Sequence, residues 1–396
     1  MTSGDIFTPE QLSYHAKVYA GPGAGKTHFL VENVKNIIAN NPQIVQSRAR
    51  KVLCVTYTNA AVDEIKRRLD KFTDHVEVYT IHGFIIEHII QPFQQDLRDI
   101  IESDFGITVK SEGKISSQVE GLGILHGVDK EEIYDFVRQT NPVEFANDEF
   151  EYSKKAMGDI EVNCSAFAAS ISNRTTRQIE LKAPSKIDGR HVKPIKKYIW
   201  SVVKKLTHNE ILYFGYRILE SNPTAVYSIR VKFPFMLVDE FQDTNPLQTS
   251  LIKLIGQKST IIGIVGDVAQ SIYSFQGARP TDFKNFSIEG DRELKEYVIN
   301  GNRRSTENIV NFCNFLRQSD DEVLQLSQRP YNTAGEKEQA EAKKIHFLIG
   351  NSQIIYNTIQ SILNDGGVVL TRAWAAAFDY IQGIDESQAK QLKSIY

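Results

Sequence analysis

An α/β fold built on a parallel sheet around a phosphate-binding loop is predicted for this chain, and three observations predict it. Short β-rich, largely apolar runs recur at 51–56, 235–238 and 260–265 and alternate with helical patterns, the last two ending in the polar residues Asp239-Glu240 and Gly266-Asp267. Such runs suit strands buried on both faces. A glycine-rich stretch, Ala20-Gly-Pro-Gly-Ala-Gly-Lys-Thr27, lies between a strand-like run at 17–20 and a helical pattern at 29–38, the context in which a phosphate loop works. The acidic pair Asp239 and Glu240 follows the apolar run at 235–238, and the carboxyl ends of parallel strands are where ligands bind in this architecture.

The elements follow in order. The strand at 17–20 feeds the loop and its helix; the strand at 51–56 is followed by a helical pattern at 60–69. From 91 to 204 strand-like runs are few and helical patterns such as 130–139 take over, so this stretch is expected to be a helical insertion dividing the nucleotide domain into 1–90 and 205–295. A third segment is expected at 296–396, with a linker-like polar stretch at 327–344. At 396 residues the chain has room for two or three domains, taking roughly 100–200 residues per domain.

Composition narrows the function classes. Hydrophobic residues make up 41% and charged residues 24%, which excludes disordered and low-complexity classes for the whole chain. The net charge of −3 advertises no global attraction to nucleic acid, so such a partner has to be argued locally. One local feature is the 171–205 stretch, where ten Lys and Arg stand against Glu180 and Asp188. It reads as a nucleic-acid-facing surface or as a solvated helix face with Ile195, Ile199, Val202, Val203 and Leu206 turned inward, and both can hold. The first residues lack the basic and apolar regions of a signal peptide. No apolar run reaches membrane-span length. Cys54, Cys164 and Cys313 form neither a metal spacing nor a disulfide framework. A cytoplasmic protein with reduced thiols and no membrane partner is expected.

The phosphate loop carries the first chemistry. Gly21, Gly23 and Gly25, with Ala24 between the last two, let the backbone curl so that its amides face phosphate oxygens. Lys26 would neutralise the β- and γ-phosphates of ATP and the Thr27 hydroxyl would bind Mg²⁺. The first motif position is Ala20 where the strict pattern has Gly. Asp239 would hold Mg²⁺ through water, and Glu240 would orient and activate the attacking water. Alone, the acid pair would read as a strand-end cap.

The segment Val238-Asp-Glu-Phe-Gln-Asp-Thr244 resembles motif II of superfamily 1 DNA helicases of the UvrD/Rep/PcrA type, and further motifs follow in order. Thr56-Tyr-Thr-Asn-Ala-Ala61 resembles motif Ia, Thr80-Ile-His-Gly-Phe84 motif Ib, the stretch from Gly266 to Ala278 motif III, and Asn302-Arg-Arg-Ser305 motif IV. Gln11 sits where an adenine-reading Q motif would be, and Val368-Val-Leu-Thr-Arg372 resembles a strand early in a second motor domain. The resemblance implies a RecA-like parallel sheet with a helical insertion and the start of a second RecA-like domain. It also implies ATP-driven 3′–5′ translocation on single-stranded DNA or unwinding. Gln11 would bond adenine, Gln242 and Gln270 would sense the γ-phosphate, and Arg304 would stabilise charge in the transition state.

Single-stranded DNA and duplex junctions are the implied partners. Tyr57, Phe84, Tyr273 and Phe275 would offer ring faces on which any base can stack. Thr56, Asn59 and His82 could contact phosphates. Each ring alone would also suit core packing, and a lone histidine is often structural.

The sequence departs from the family pattern at several places. Arg303 stands where a tyrosine usually stacks on adenine, and His28 where an arginine covers its other face, so an imidazole and a guanidinium would sandwich the base. Gln276 replaces a motif III arginine. Motifs V and VI are not found after Arg372, so this chain alone is expected to hydrolyse ATP poorly. It would be either part of a longer helicase or a short form completed by a partner. The other class of function expected is an ATPase subunit acting with a nuclease or repair factor.

Overall fold

The computed structural model describes residues 5–109, 126–127, 154–273, 277–317, 324–342, 345 and 357–362. The chain divides into two compact units, Met1–Pro330 and Tyr331–Tyr396.

In the first unit, strand β1 (His15–Ala20) runs through the loop into helix α1 (Lys26–Asn40). Strand β2 (Val52–Thr56) is followed by α2 (Asn59–Leu69), and β3 (Val76–Thr80) by α3 (Ile81–Ile85) and α4 (Gln94–Phe105). Helices α5 (Cys164–Ser172), α6 (Gly189–Tyr198), α7 (His208–Ser221) and α8 (Pro223–Lys232) precede β4 (Phe235–Val238). Then come α9 (Pro246–Gly256), β5 (Ile261–Gly266), β6 (Leu294–Ile299) and α10 (Glu307–Leu316).

The six strands form one sheet in the order β6-β1-β5-β4-β2-β3, and every pairing in it is parallel. The predicted strands at 51–56, 235–238 and 260–265 all lie in this sheet. Alternation along a strand sends side chains to opposite faces. Val52 and Cys54 join the core under α1 and α2, with Phe29, Val34, Ile37 and Ile65. Leu53 and Val55 join the core on the other face, with residues of α3, α4, α7 and α9. Helix starts are marked in the sequence. Thr207 and Glu210 form a reciprocal cap on α7, and Asn245 and Gln248 do so on α9, where Pro246 fills the first turn.

The structure revises three expectations about organisation. The boundary expected at 295/296 falls inside β6, which pairs with β1 along its length; parallel pairing makes this segment the edge of the first sheet. Helix α4, which opens the 91–204 stretch, packs into the core of the sheet domain. Leu97, Ile101 and Phe105 of α4 share one apolar core with Trp200, Phe214 and Val238, because their helical spacing makes a stripe that must bury against a neighbour. The polar stretch at 327–344 contains helix α11 (Ala334–Glu341) in the second unit, started by Thr333, whose hydroxyl accepts the Glu336 amide. The pattern at 130–139 and the strand-like run at 368–372 lie outside the described residues.

The strand registers fix where the motifs meet. Tyr19 stands beside Gly266, Val55 beside Val238, Thr56 beside Thr80 and Ala20 beside Ile299. All six strands therefore end along one edge, and the phosphate loop and motifs Ia, Ib, II, III and IV leave from that edge, whereas Gln11 precedes β1.

Candidate ATP and DNA site

The phosphate loop occupies the turn between β1 and α1. Gly23 and Gly25 adopt left-handed backbones with φ of +71° and +84°, a conformation side chains disfavour. Ala24 is buried, Lys26 is 8% exposed and Thr27 is half-buried in the first turn of α1. His28 is exposed.

Lys26 Nζ lies 3.4 Å from Glu240 Oε2, which joins the loop to the end of β4. Glu240 holds a left-handed backbone with φ +49°, and its amide donates to Asp239 Oδ1 at 3.0 Å. Strain of this kind persists where surrounding contacts over-determine it, and functional sites are where it gathers. Gln242 bridges two motifs. Its Nε2 donates to Glu240 Oε2 at 2.8 Å, and its Oε1 accepts the Asp267 amide at 3.0 Å. Gln270 Nε2 in turn donates to Asp267 Oδ2 at 2.7 Å, and Arg317 pairs with the same carboxylate. Lys26, Glu240, Gln242 and Gln270 thus form one polar chain.

Burial, and then the Glu240 charge, push the Asp239 carboxyl up to about 7 against the pull of Lys26. A buried carboxyl in that state gains from a nearby cation. Among the described residues no group of three or more His, Cys, Asp or Glu forms a self-sufficient metal site. A sparse oxygen set such as Thr27 and Asp239, completed by phosphate and water, is what Mg²⁺ accepts, so these residues fit that ion. A separate cleft of about 960 Å³, lined by Thr224, Tyr227, Arg230, Lys258 and Arg292 among others, shares none of the predicted site residues.

Arg303 and Arg304 are exposed beside the loop, and the Arg303 amide donates to Gly23 O at 2.9 Å. Gln11, in the short turn Gln11–Ser13, accepts the Thr8 amide at 2.8 Å through its side-chain oxygen. Asn302 and Gln325 also touch the loop. Asn302 was visible only as part of a motif, and no sequence signal marks Gln325 or Arg317.

The predicted DNA residues divide. Tyr57, just after β2, and Tyr273, in the segment that follows β5, face each other with ring centroids 4.4 Å apart and a 32° interplanar angle. Burial first, then Tyr273 and Asp243, push the Tyr57 hydroxyl up to about 12. Asn59 is exposed at the start of α2, next to Thr58, whose hydroxyl caps that helix. Phe84 is a correction: it is 0% exposed and packs on Phe233 in the core, so its ring is not open to a base. Thr56 is likewise buried, with a hydroxyl that has no partner among the described residues. His82 packs against His208 at 4.8 Å between ring centroids. Burial, then His208, push it down to about 4; it is neutral at pH 7 and brings no positive charge to a phosphate. Phe275 and Gln276 lie outside the described residues.

In the basic stretch, Lys196 is fully buried against Glu210 at 2.5 Å. Arg177 pairs with Glu220 at 2.7 Å and Arg190 with Asp188 at 2.8 Å. Lys182, Lys186, Lys193 and Lys197 are exposed. Ile195, Ile199 and Leu206 are buried as expected, while the side chains of Val202 and Val203 lie outside the described ones. The three cysteines are unpaired. No helix among the described residues is long and apolar enough to cross a membrane.

Comparison with known proteins gives a consistent picture. The family model for the UvrD/REP helicase N-terminal domain matches residues 8–290. The chain is 28% identical to the ATP-dependent DNA helicase PcrA of Staphylococcus aureus over 337 residues, covering 81% of this chain and 40% of that protein. It is 26% identical to a probable DNA helicase II homolog of Mycoplasma capricolum, covering 75% of this chain and 38% of that protein. It is 27% identical to Gabija protein GajB of Bacillus cereus, covering 78% of this chain and 47% of that protein. The chain therefore spans less than half the length of these three relatives.

Proposed function

This chain belongs to the UvrD/REP helicase N-terminal domain family, and from that premise we propose that it is the ATP-binding part of a DNA-dependent ATPase that moves 3′ to 5′ along single-stranded DNA. The observation that carries the reading is the contact of Lys26 with Glu240, with Gln242 tying Glu240 to Asp267.

In this reading Lys26 neutralises the β- and γ-phosphates while the loop amides orient them. Thr27 and Asp239 would hold Mg²⁺, which supplies charge neutralisation at the phosphates. Glu240 orients the attacking water and takes its proton on a carboxylate oxygen. Gln270, held by Asp267, sits in motif III, the motif expected to relay nucleotide state to DNA. Arg304 offsets charge that develops on the transferred phosphoryl group. Gln11 reads adenine, with His28 and Arg303 at its two faces. Tyr57, Tyr273 and Asn59 form the strand-binding edge. The domain plan is a first RecA-like lobe interrupted by helices, followed by the start of a second lobe.

ATP hydrolysis by the purified protein, with and without single-stranded DNA, tests this. Lys26→Ala is expected to remove both binding and turnover. Glu240→Gln is expected to keep ATP binding and to lower turnover by about 100-fold or more. Wild-type turnover in both variants would refute the assignment.

The likeness to Gabija protein GajB favours a second reading, in which the same ATPase site serves as a DNA-sensing subunit of a nuclease complex with little unwinding of its own. Co-purification with a nuclease whose activity changes with ATP would select it.

A further inference from the structure

The phosphate loop is gripped from outside by the segment that follows β6. A Cβ placed on Gly23 would lie 2.6 Å from Asn302 Oδ1 and 2.9 Å from Arg304 Cβ. One placed on Gly21 would lie 2.5 Å from the Gln325 amide nitrogen. These two glycines therefore admit protein side chains on the loop, a role separate from presenting amides to phosphate.

The side chain of Asn302, 4% exposed, does two things at once. Its oxygen accepts the amides of Arg304 at 3.0 Å and Ser305 at 2.9 Å, forming the turn from which Arg304 projects. Its nitrogen donates to Pro22 O at 2.8 Å. The Arg303 amide adds a second link, to Gly23 O at 2.9 Å. Gln325 closes the arrangement. It is 2% exposed, accepts from Asn302 Nδ2 at 3.3 Å, and is itself anchored by paired bonds between its backbone and the Asn314 side chain. The short strand pairing of Gly301–Asn302 with Leu326–Ser327 brings Gln325 to this place.

An asparagine amide suits the position because it carries a donor and an acceptor on one short stem. Aspartate would keep the turn and lose the donor; its oxygen would face the Pro22 carbonyl instead. Serine offers a single oxygen that cannot hold both sides, and glutamine is a methylene longer.

We propose that Asn302 is a positioning residue that locks the arginine-bearing turn to the phosphate loop, so that Arg304 meets the terminal phosphate of a bound nucleoside triphosphate. This rests on the ATP-site reading above. A diphosphate lacks the phosphate Arg304 would touch, so the lock favours ATP over ADP.

The experiment compares ATP and ADP affinity by calorimetry, in magnesium buffer, for the full chain and for Asn302→Asp, Arg304→Ala and Lys26→Ala. Asn302→Asp is expected to lose about fivefold in ATP affinity, as a lost hydrogen bond would, with ADP affinity unchanged and the same pattern in Arg304→Ala. Asn302→Asp binding ATP like the wild type while Arg304→Ala is impaired would overturn the lock. So would an equal loss of ATP and ADP, which would mean a general collapse of the loop. Wild-type nucleotide binding by Lys26→Ala would overturn the underlying ATP-site reading and the lock with it. Hydrogen exchange on the wild-type chain tests the proposal without a variant. The Arg303, Arg304 and Ser305 amides are expected to be protected as β6 is, and complete exchange within seconds would overturn the lock.

Discussion

Glu240 shows how one residue is held by several. Its backbone is left-handed, its amide bonds to Asp239, and its carboxylate lies between Lys26 and Gln242. Each neighbour comes from a motif that the sequence displays, so this part of the site was legible residue by residue. Phe84 was not. The motif that contains it was recognisable, but its side chain faces the core, and a phenylalanine beside polar residues reads the same whether it stacks on a base or on Phe233. The two roles separate by experiment. Phe84→Ala is expected to lower stability by about 3–5 kcal/mol, as emptying a buried aromatic site does. Tyr57→Ala is expected to leave the melting temperature nearly unchanged and to cost about 1–3 kcal/mol of single-strand affinity. Thermal melting and fluorescence anisotropy of a labelled oligonucleotide read the two. A Phe84→Ala chain that melts like the wild type and no longer binds DNA would return Phe84 to the DNA track.

Among the elements, the inner strands were predictable because parallel strands covered on both faces are apolar throughout, as in β2, β4 and β5. β6 was not read as part of that sheet. It is an edge strand that carries the adjacent charges Lys295 and Glu296, and only its pairing with β1 identifies it. The junction of β1 with β5 is also sensitive to acid. His15 Nδ1 accepts the Ile262 amide at 3.0 Å, which requires a neutral ring. Burial, with a smaller contribution from Arg292, pushes His15 down to about 4 from its ordinary 6.5. Between those values the unfolded chain takes up a proton that the folded chain refuses. The stabilisation is therefore complete above pH 6.5 and lost as pH falls toward 4, by about 3 kcal/mol at most. His82 is shifted in the same direction. The melting temperature is expected to fall between pH 7 and pH 5, and His15→Asn, which keeps an acceptor without titrating, is expected to flatten part of that fall. An identical pH dependence in the variant would show that His15 is not a source.

For the whole molecule, the near-neutral net charge hides an uneven surface. Ten basic residues gather at 171–205, but several are spent on ion pairs with Glu210, Glu220 and Asp188. The exposed lysines 182, 186, 193 and 197 remain as the part able to meet a phosphate backbone. Replacing these four with serine is expected to flatten the dependence of single-strand affinity on salt by about 0.7 in slope for each lysine that contacts the strand. An unchanged slope, measured by anisotropy across a salt series, would assign them to solvent. The sequence by itself determined the strand–loop–helix order, the phosphate loop, the carboxylates after β4 and the family, because these are read from local runs and fixed spacings. Only the tertiary structure decided that Asn302 grips a loop 280 residues away in the chain, that Arg317 reaches Asp267, and that Phe84 turns inward. Those contacts depend on which strands lie side by side in the sheet, and that order is set by the packing of the complete core rather than by any local pattern.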